Sequence, residues 1–550
     1  MRKQINTNRK TMKKITFILL SIFSVMIFYA CEDFLDKEVD TSLTDDMIFS
    51  DNHYAPGFLN NIYNNLLPGY NRLDGAMLAS GSDEAVHSNS ASLIHTFNNG
   101  AINPGFNPDD VWDHLYEGIR KTNVFLERLT TTIAETNSIP VSDRPRMKGE
   151  AIFLRAMFHF ELAKRYGNIP YIDQVLNEDN AGTVLQLSFN EVAERIVADC
   201  DTAYVYLPLA SSDDNRGRAT KAAAKALKSR VLLYAASPLN NPGNELSKWE
   251  RAADAALYVI NMAGPTIGLA TNYAAVFNDP WSREILFATA PINSNAFESL
   301  NFPLSYGGLG YTNPTQNLAN AFDTRLGRPI DDDPAYDPAN PLIDREERFY
   351  NVLLQNMAVF KGRPVETFVG GRDGIGSAAT ATRTGYYIRK FSNSSVDLDR
   401  GTTVRKPWIL FRYAEAYLNY AEAMNEAYGP VSEVYDAVFL LRRRNHVLPA
   451  RARYPQGMNQ SQMRQRLKKE RQIEFAFEEH RFWDLRRWLD AENILNEPIK
   501  GLRTTQNEQS NEFQHEIFVV ENRTFDPKFY WYPIPRKEVL KGYLEQNQGW

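Results

Sequence analysis

The chain has 550 residues, of which 61 are Lys or Arg and 67 are Asp or Glu, so its formal net charge is −6. This balance argues against a protein that binds nucleic acid through a basic surface. The two cysteines, Cys31 and Cys200, are too few for a zinc cluster or a framework of disulfide bonds. Aromatic residues make up 12% of the chain, with 27 Tyr and 31 Phe, and abundant tyrosine is typical of surfaces that recognise a ligand.

The N-terminal segment has the pattern of an export signal with a lipidation site. Two lysines precede the apolar run Ile15–Ala30, which is shorter than the ~20 residues that a membrane-spanning helix needs. Ala30 supplies a small residue at the cleavage position, and Cys31 follows directly, where the cysteine thiol of bacterial lipoproteins receives lipid. We therefore predict a signal peptide at residues 1–30 and a lipid anchor on Cys31. The alternative is an ordinary secretory signal, in which Cys31 has no role.

The remainder of the chain divides into a short tether and a large folded body. Residues 31–52 are acidic and lack apolar periodicity, which is typical of a linker. We therefore predict a tether over these residues and a body that spans residues 53–550.

Within the body, apolar residues recur at helical spacing over about 111–262 and 408–490. Between them, residues 264–406 are punctuated by Gly, Pro, Asn and Asp, and a helical pattern is present only around residues 345–360. Paired amphipathic helices that cannot bury their apolar faces alone are typical of tetratricopeptide-like stacks. We predict a mainly α fold, an α-α superhelix of tetratricopeptide-like helix pairs with an inserted loop-rich ligand-binding lobe.

Local signals mark several helix boundaries. Ser188–Glu191 has the spacing of a capping box, and Thr220 and Ser247 precede the next two helical patterns as N-cap residues. The pattern over residues 461–488 predicts one continuous helix. Opposite charges share a helical face within Arg471–Arg487, which predicts a salt-bridged contact between helices rather than an acid–base site.

Several segments of the chain resemble one protein family. In chain order they are VWDHLYEGIRKTNVFLERL at Val111–Leu129, KGEAIFLRAMFHFELAKRYGNIPYI at Lys148–Ile172, RATKAAAKALKSRVLLYAASP at Arg218–Pro238, RYAEAYLNYAEAMNEAYG at Arg412–Gly429, KKERQIEFAFEEHRFWDLRRW at Lys468–Trp488 and YWYPIPRKEVLKGYLEQNQGW at Tyr530–Trp550. In order and spacing they resemble the SusD/RagB family of nutrient-binding outer-membrane lipoproteins. The resemblance covers nearly the whole mature chain.

This resemblance implies a fold, a location and a function. Members of the family fold as tetratricopeptide-like helix pairs with a ligand lobe, and a lipid anchor holds them on the outer face of the outer membrane. They cover a TonB-dependent barrel transporter of the SusC type and deliver glycans, or in some members peptides, into it. We therefore expect a non-catalytic protein that binds an oligosaccharide, or alternatively a peptide, with no cofactor and no metal. A scaffold that only recruits partner proteins is a further alternative.

A polar segment early in the body provides candidate ligand contacts. Asp83, Glu84, His87 and Asn89 lie close together in the chain, and the resemblance implies polar ligand contacts in this stretch. We predict that these four side chains form hydrogen bonds with sugar hydroxyls. Paired carboxylates beside a histidine also occur in acid–base sites, so the alternative is a secreted glycan hydrolase that uses Asp83 and Glu84.

The loop-rich lobe provides the aromatic part of the predicted site. The flat C–H face of a sugar packs on an aromatic ring, while its hydroxyls need directed polar partners. Trp281 follows a turn signal, Tyr306 and Tyr311 bracket the segment GGLG, and Tyr273 lies nearby in the chain. We predict that Trp281, Tyr306 and Tyr311 form the aromatic surface of a ligand site together with the polar segment.

Overall fold

A computed structural model describes residues 44–210, 215–445 and 449–550. The predicted signal peptide and the predicted lipidation site, Cys31, lie outside these ranges, as does most of the predicted tether. No helix within the ranges is both long enough and apolar enough to cross a lipid bilayer.

The last part of the predicted tether belongs to the folded body. Asp45–Ser50 form a helix in which the Phe49 side chain is completely buried. The backbone oxygen of Phe49 accepts a hydrogen bond of 2.6 Å from Ser138 Oγ. Burial of a Phe side chain contributes ~1.5–3 kcal/mol, so this helix is anchored to the body. The predicted start of the body at residue 53 was therefore too late, because one apolar residue in an acidic segment shows no periodicity.

Eight helices of at least 11 residues form the scaffold of the described chain. They are α1 (Trp112–Thr130), α2 (Arg144–Tyr166), α3 (Phe189–Tyr206), α4 (Lys221–Ala236), α5 (Leu246–Ile260), α6 (Tyr413–Tyr428), α7 (Ser432–Arg442) and α8 (Gln460–Glu474). Each helix from α1 to α6 packs against the next, and α6 also packs against α8. Because α5 contacts α6 directly, residues 261–412 form a lobe inserted between them. The predicted fold of helix pairs with an inserted lobe is confirmed.

The rest of the described chain forms short helices and two-stranded sheets. The shorter α-helices are Asp45–Ser50, Tyr54–Tyr63, His95–Asn98, Thr132–Thr136, Ala296–Asn301, Gln316–Ala321, Glu347–Val352, His480–Arg487, Ala491–Leu495 and Arg536–Val539. The antiparallel strand pairs are Ala85–His87 with Thr312–Pro314, Ile169–Pro170 with Gln186–Leu187, Ile285–Ala288 with Ile409–Arg412, Ile292–Ser294 with Val404–Lys406, Leu353–Leu354 with Tyr387–Ile388, Val359–Phe360 with Arg363–Pro364, and Ile499–Gln506 with Phe513–Glu521. The last pair, a hairpin near the C-terminus, was not among the predicted elements.

Two of the three predicted helix caps are present. At the start of α3, Ser188 Oγ accepts a hydrogen bond from the Glu191 N–H, and the Glu191 carboxylate accepts one of 2.8 Å from the Ser188 N–H. Thr220 caps α4 in the same way, by accepting a hydrogen bond from a backbone N–H of the first turn. Ser247 was predicted wrongly as a cap, because α5 begins one residue before it and carries no side-chain cap.

Two predicted helices are shorter than expected. The pattern over residues 461–488 forms α8 and a second helix, His480–Arg487, because Phe477 between them adopts a φ of 64°. A left-handed residue cannot continue a right-handed helix. The helix predicted around residues 345–360 spans only Glu347–Val352, after which the chain forms short strands.

The end of α8 places charged side chains in the interior. The Glu474 carboxylate accepts hydrogen bonds from Arg412 at 2.7 Å and from Arg348 at 2.9 Å, and it also pairs with Arg444. All four side chains are buried. Burial alone would raise the pKa of Glu474, but the three arginines outweigh it and hold that pKa well below its usual range. We call this cluster, with Glu284, Glu470 and Glu478, the ionic core; it joins the lobe to α8.

The salt-bridged face predicted for Arg471–Arg487 is confirmed. Asp484 accepts hydrogen bonds from Arg471 Nε at 2.8 Å and from Arg487 Nε at 2.7 Å. Arg487 also pairs with Glu422 on α6. These pairs are buried and connect the helix His480–Arg487 to its neighbours.

We expect Glu474→Gln to lower the free energy of unfolding by ~3–5 kcal/mol, because it leaves buried arginines without a full complement of carboxylates. Urea denaturation at pH 7 measures this change. Glu194→Gln, which removes the exposed Glu194–Arg251 pair, is the control and is expected to change stability by less than ~1 kcal/mol. An effect of Glu474→Gln as small as that of the control would contradict a structural role for the ionic core.

Candidate functional site

Asp83 and Glu84 lie inside the protein, not at a ligand surface. Asp83 accepts two hydrogen bonds of 2.8 Å from the Arg481 guanidinium. Glu84 is completely buried, and its carboxylate accepts a hydrogen bond of 3.3 Å from the Phe477 N–H. Burial, with the nearby charge of Asp83, raises the pKa of Glu84 well above its usual range. The prediction that these two residues contact a ligand was wrong, because both pair with the segment that follows α8.

His87, Asn89 and Tyr311 do come together. The strand Ala85–His87 pairs with Thr312–Pro314, and His87 lies opposite Thr312. As a result the His87 ring lies 4.7 Å from the Tyr311 ring, with an angle of 50° between their planes. His87 is completely buried beneath the surface, whereas Asn89 and Tyr311 are partly exposed. The prediction of direct ligand contact therefore stays open for Asn89 and Tyr311, and His87 supports the tyrosine from below.

The neighbouring loop fixes the position of Tyr311. Gly75 adopts a φ of 81°, and a Cβ atom on it would lie only 3.3 Å from the Tyr311 ring. Asp74, which is exposed, accepts a hydrogen bond of 3.1 Å from the Leu93 N–H. His95 Nε2 lies 3.0 Å from the backbone oxygen of Asn89. The segments at Asp74 and at Asn89 are therefore each held by a hydrogen bond between a side chain and the backbone.

Two further residues that sequence reasoning missed complete this region. Arg383 Nη1 donates a hydrogen bond of 3.3 Å to the backbone oxygen of His87, and it forms an ion pair of 2.9 Å with Glu521 on the C-terminal hairpin. Neither residue lies in a recognisable motif, and contact between such distant segments leaves no local signal. We call the region formed by Asp74, His87, Asn89, His95, Tyr311 and Arg383 the Tyr311 surface.

Several polar atoms of the Tyr311 surface have no protein partner. The Tyr311 hydroxyl and Asn89 Nδ2 make no hydrogen bond to any residue that the structure describes, although Asn89 Oδ1 accepts one of 3.0 Å from the Ala91 N–H. Beneath them, His87 Nε2 and Thr312 Oγ1 are buried and unpaired. Burial, with the charge of His95, lowers the pKa of His87 to about 4, so its ring is neutral at pH 7. A partly exposed ring beside unpaired polar atoms is suited to a ligand that offers both C–H faces and hydroxyls.

Tyr306 and Tyr273 do not contribute to this surface. The Tyr306 hydroxyl donates a hydrogen bond of 2.9 Å to the backbone oxygen of Arg363, whose guanidinium covers one face of the ring at 3.7 Å. Tyr273 is buried, and its hydroxyl donates to the backbone oxygen of Glu474. The hydroxyl and one ring face of Tyr306 are therefore already occupied, and direct contact of Tyr306 with a sugar stays a prediction.

Trp281 lies in a separate cavity of about 350 Å³. Its side chain is 38% exposed, and the guanidinium groups of Arg216 and Arg405 lie 5.0 and 5.9 Å from its ring. The cavity is lined by the start of α4 and by the strand Ile285–Ala288, and it shares no residue with the Tyr311 surface. The predicted aromatic residues therefore do not converge in one site.

The described ranges contain no cluster of three or more His, Cys, Asp or Glu side chains that could hold a metal ion.

In comparisons with known proteins, a model of the SusD family matches residues 277–550. A second model, described as starch-binding and associating with the outer membrane, matches residues 33–233. The chain belongs to the SusD family.

Relatives match the chain over most of its length. SusD-like protein P25 of Formosa agariphila is 22% identical over 557 residues, which cover 96% of this chain and 97% of that protein. The crystal structure of a SusD-like protein from Bacteroides fragilis has a TM-score of 0.79 at 28% identity, and the match covers 92% of this chain and 99% of that one. A SusD-like carbohydrate binding protein of the same organism has a TM-score of 0.74 at 23% identity, with 90% and 98% covered. The SusD family resemblance found in the sequence is confirmed.

The positions of Asp83 and Glu84 predict different effects on stability when each carboxylate is replaced by its amide. Asp83→Asn is expected to lower the free energy of unfolding by ~3–5 kcal/mol, because it leaves Arg481 unpaired in a buried site. Glu84→Gln is expected to leave stability at pH 7 unchanged or higher, because burial favours the neutral form of this carboxyl. Urea denaturation of both variants tests the assignment.

The pH dependence of the free energy of unfolding provides the control for this pair of variants. In the folded protein Glu84 keeps its proton at pH values at which the unfolded chain has released it. The free energy of unfolding of the wild type should therefore fall as the pH rises above the ordinary pKa of 4.5. This loss should be absent in Glu84→Gln. Strong destabilisation by Glu84→Gln at pH 7 would contradict a neutral, structural Glu84.

Proposed function

We propose that this protein is a non-catalytic, cell-surface glycan-binding lipoprotein, which captures oligosaccharides and delivers them to a TonB-dependent, SusC-like outer-membrane transporter. The observation that carries the binding part of the proposal is the Tyr311 surface, where a partly exposed ring lies beside polar groups without protein partners. Membership of the SusD family supports the association with the outer membrane.

The Tyr311 surface has the chemistry that a sugar requires. The C–H face of a pyranose stacks on the Tyr311 ring, while the Asn89 amide and the exposed Asp74 carboxylate exchange hydrogen bonds with its hydroxyls. Because Gly75 and His87 hold Tyr311 from two sides, little side-chain freedom is lost on binding. Individual sugar contacts of this kind are weak, so we expect affinity to increase with the length of the oligosaccharide.

The buried carboxylates argue against the hydrolase alternative. A glycosidase needs two carboxyl groups that flank the scissile bond. Asp83 is paired with Arg481, and Glu84 is completely buried. The carboxylates proposed for hydrolysis are therefore out of reach of a polysaccharide.

We expect Tyr311→Ala to weaken the binding of an oligosaccharide selected on a glycan array by about tenfold, or ~1.4 kcal/mol, because the stacking surface is lost. Isothermal titration calorimetry measures the change. Tyr428→Ala, which removes an exposed tyrosine on α6, is the matched control and is expected to bind normally. Trp281→Ala is also expected to bind normally.

The outcomes of this experiment separate the alternatives. Loss of binding in Trp281→Ala but not in Tyr311→Ala would move the glycan site to the Trp281 cavity and contradict the proposed surface. Absence of binding to every glycan on the array, together with binding to a peptide library, would favour a peptide cargo.

The anchor is tested separately. Two or more acyl chains hold a protein firmly on a bilayer, because each buried methylene contributes ~0.8 kcal/mol. We expect the wild-type protein to incorporate radioactive palmitate and to be cleaved by protease added to intact cells, whereas Cys31→Ser should incorporate none. An unlabelled wild-type protein would contradict the lipid anchor without affecting the glycan site.

A further inference from the structure

A second concave site lies in the lobe and has a different chemistry. It is a cavity of about 260 Å³, formed by the turn before Asn278, by Asn351, by the hairpin at Val359–Lys361 and by the segment Arg389–Ser394. It shares no residue with the Tyr311 surface or with the Trp281 cavity. Its volume is suited to a single monosaccharide or to one charged substituent.

The lining of this cavity is positively charged. Lys361, Arg389 and Lys390 line it, and none of the other described residues that line it is an Asp or a Glu. This is a marked local excess in a chain whose net charge is −6. Lys390 is neutralised from behind by Glu478, at 2.6 Å, and Lys361 donates a hydrogen bond to the backbone oxygen of Val396. Of these three cations, Arg389 is the one whose side chain makes no hydrogen bond or ion pair with a described residue.

Arg389 differs from the arginines of the ionic core. Its side chain is partly buried, yet it forms no hydrogen bond or ion pair with any residue in the described part of the chain. Arg348 and Arg412, in contrast, each contact at least two carboxylates. Partial burial lowers the pKa of Arg389, because the fold shields part of the side chain from solvent and no described carboxylate compensates for it. Partial burial of an unpaired charge is unfavourable, which indicates that a ligand supplies the missing anion.

The backbone holds Arg389 in place without using its side chain. Its N–H donates a hydrogen bond of 2.9 Å to the Val352 oxygen. Asn351 and Ser394 also line the cavity, and their side chains make no hydrogen bond to a described residue, while Phe277 and Phe360 supply apolar lining. A planar guanidinium binds the two oxygens of a carboxylate or a sulfate through paired hydrogen bonds. Nearby amide and hydroxyl groups can bind the rest of a sugar.

We propose that this cavity binds the oxyanion of an acidic sugar, either the carboxylate of a uronic acid or a sulfate ester, with Arg389 as its bidentate partner. The sugar part of this inference rests on the proposed glycan-binding function, whereas the oxyanion part rests on the cavity alone. The protein then has an acidic-sugar site in addition to the Tyr311 surface.

Saturation-transfer difference NMR tests the proposal with three probes at equal ionic strength: D-glucuronate, D-glucose 6-sulfate and D-glucose. We expect at least one anionic probe to bind the wild-type protein at least about tenfold more tightly than D-glucose, since charge-assisted pairs are stronger than neutral ones. Binding of only one anion would identify which oxyanion the cavity takes. Equal binding of all three probes, or no binding of either anion, would overturn the proposal.

Variants assign the effect to this cavity. Arg389→Gln is expected to reduce anion binding to the level of D-glucose, and Arg389→Lys is expected to restore it only in part, because an ammonium lacks the bidentate geometry. Both variants should fold, since no protein partner is lost. Arg400→Gln removes an exposed arginine of the same lobe and is expected to leave binding unchanged. Unchanged anion binding in Arg389→Gln would overturn the site, even if Tyr311→Ala still weakens binding of the array-selected glycan.

Discussion

The interaction on which this structure depends is the buried pairing of arginines with carboxylates at the end of α8. Glu474 contacts Arg348 from the lobe, Arg412 from the strand before α6 and Arg444 from the turn that follows α7. Removing any partner leaves an unpaired charge in a buried site. Ion pairs need defined distances and directions between their groups. These pairs therefore hold the lobe in one position on the helical scaffold.

A separate buried ion pair positions the strand that carries the Tyr311 surface. The segment after α8 supplies Arg481, which fixes Asp83 just before the strand Ala85–His87. On the other side, Arg523 from the C-terminus donates a hydrogen bond of 2.8 Å to the backbone oxygen of Ala85. These two contacts hold the strand Ala85–His87 in addition to its pairing with Thr312–Pro314. The surface is then built on a fixed backbone, so that a ligand does not have to organise it.

Elements that depend on neighbouring residues were predicted from the sequence, whereas contacts between residues far apart in the chain were missed. The helix pairs follow from apolar periodicity, and the cap of α3 follows from Ser188 and Glu191 within one turn. Asp83 and Glu84 looked like ligand contacts because their partners, Arg481 for Asp83 and the Phe477 N–H for Glu84, are far along the chain. The contact of Arg383 with the strand of His87 has no local signal for the same reason. The end of α8 was missed because Phe477 is a residue type that rarely adopts a positive φ.

We propose that the glycan binds to a preformed Tyr311 surface. The most direct measurement is a crystal structure of the protein with an oligosaccharide selected on a glycan array. We expect a sugar ring that stacks on Tyr311 and forms a hydrogen bond with Asn89, with the backbone of Ala85–Asn89 unmoved from its unliganded position. A sugar bound in the Trp281 cavity with the Tyr311 surface empty, or a Tyr311 surface that forms only on binding, would contradict it.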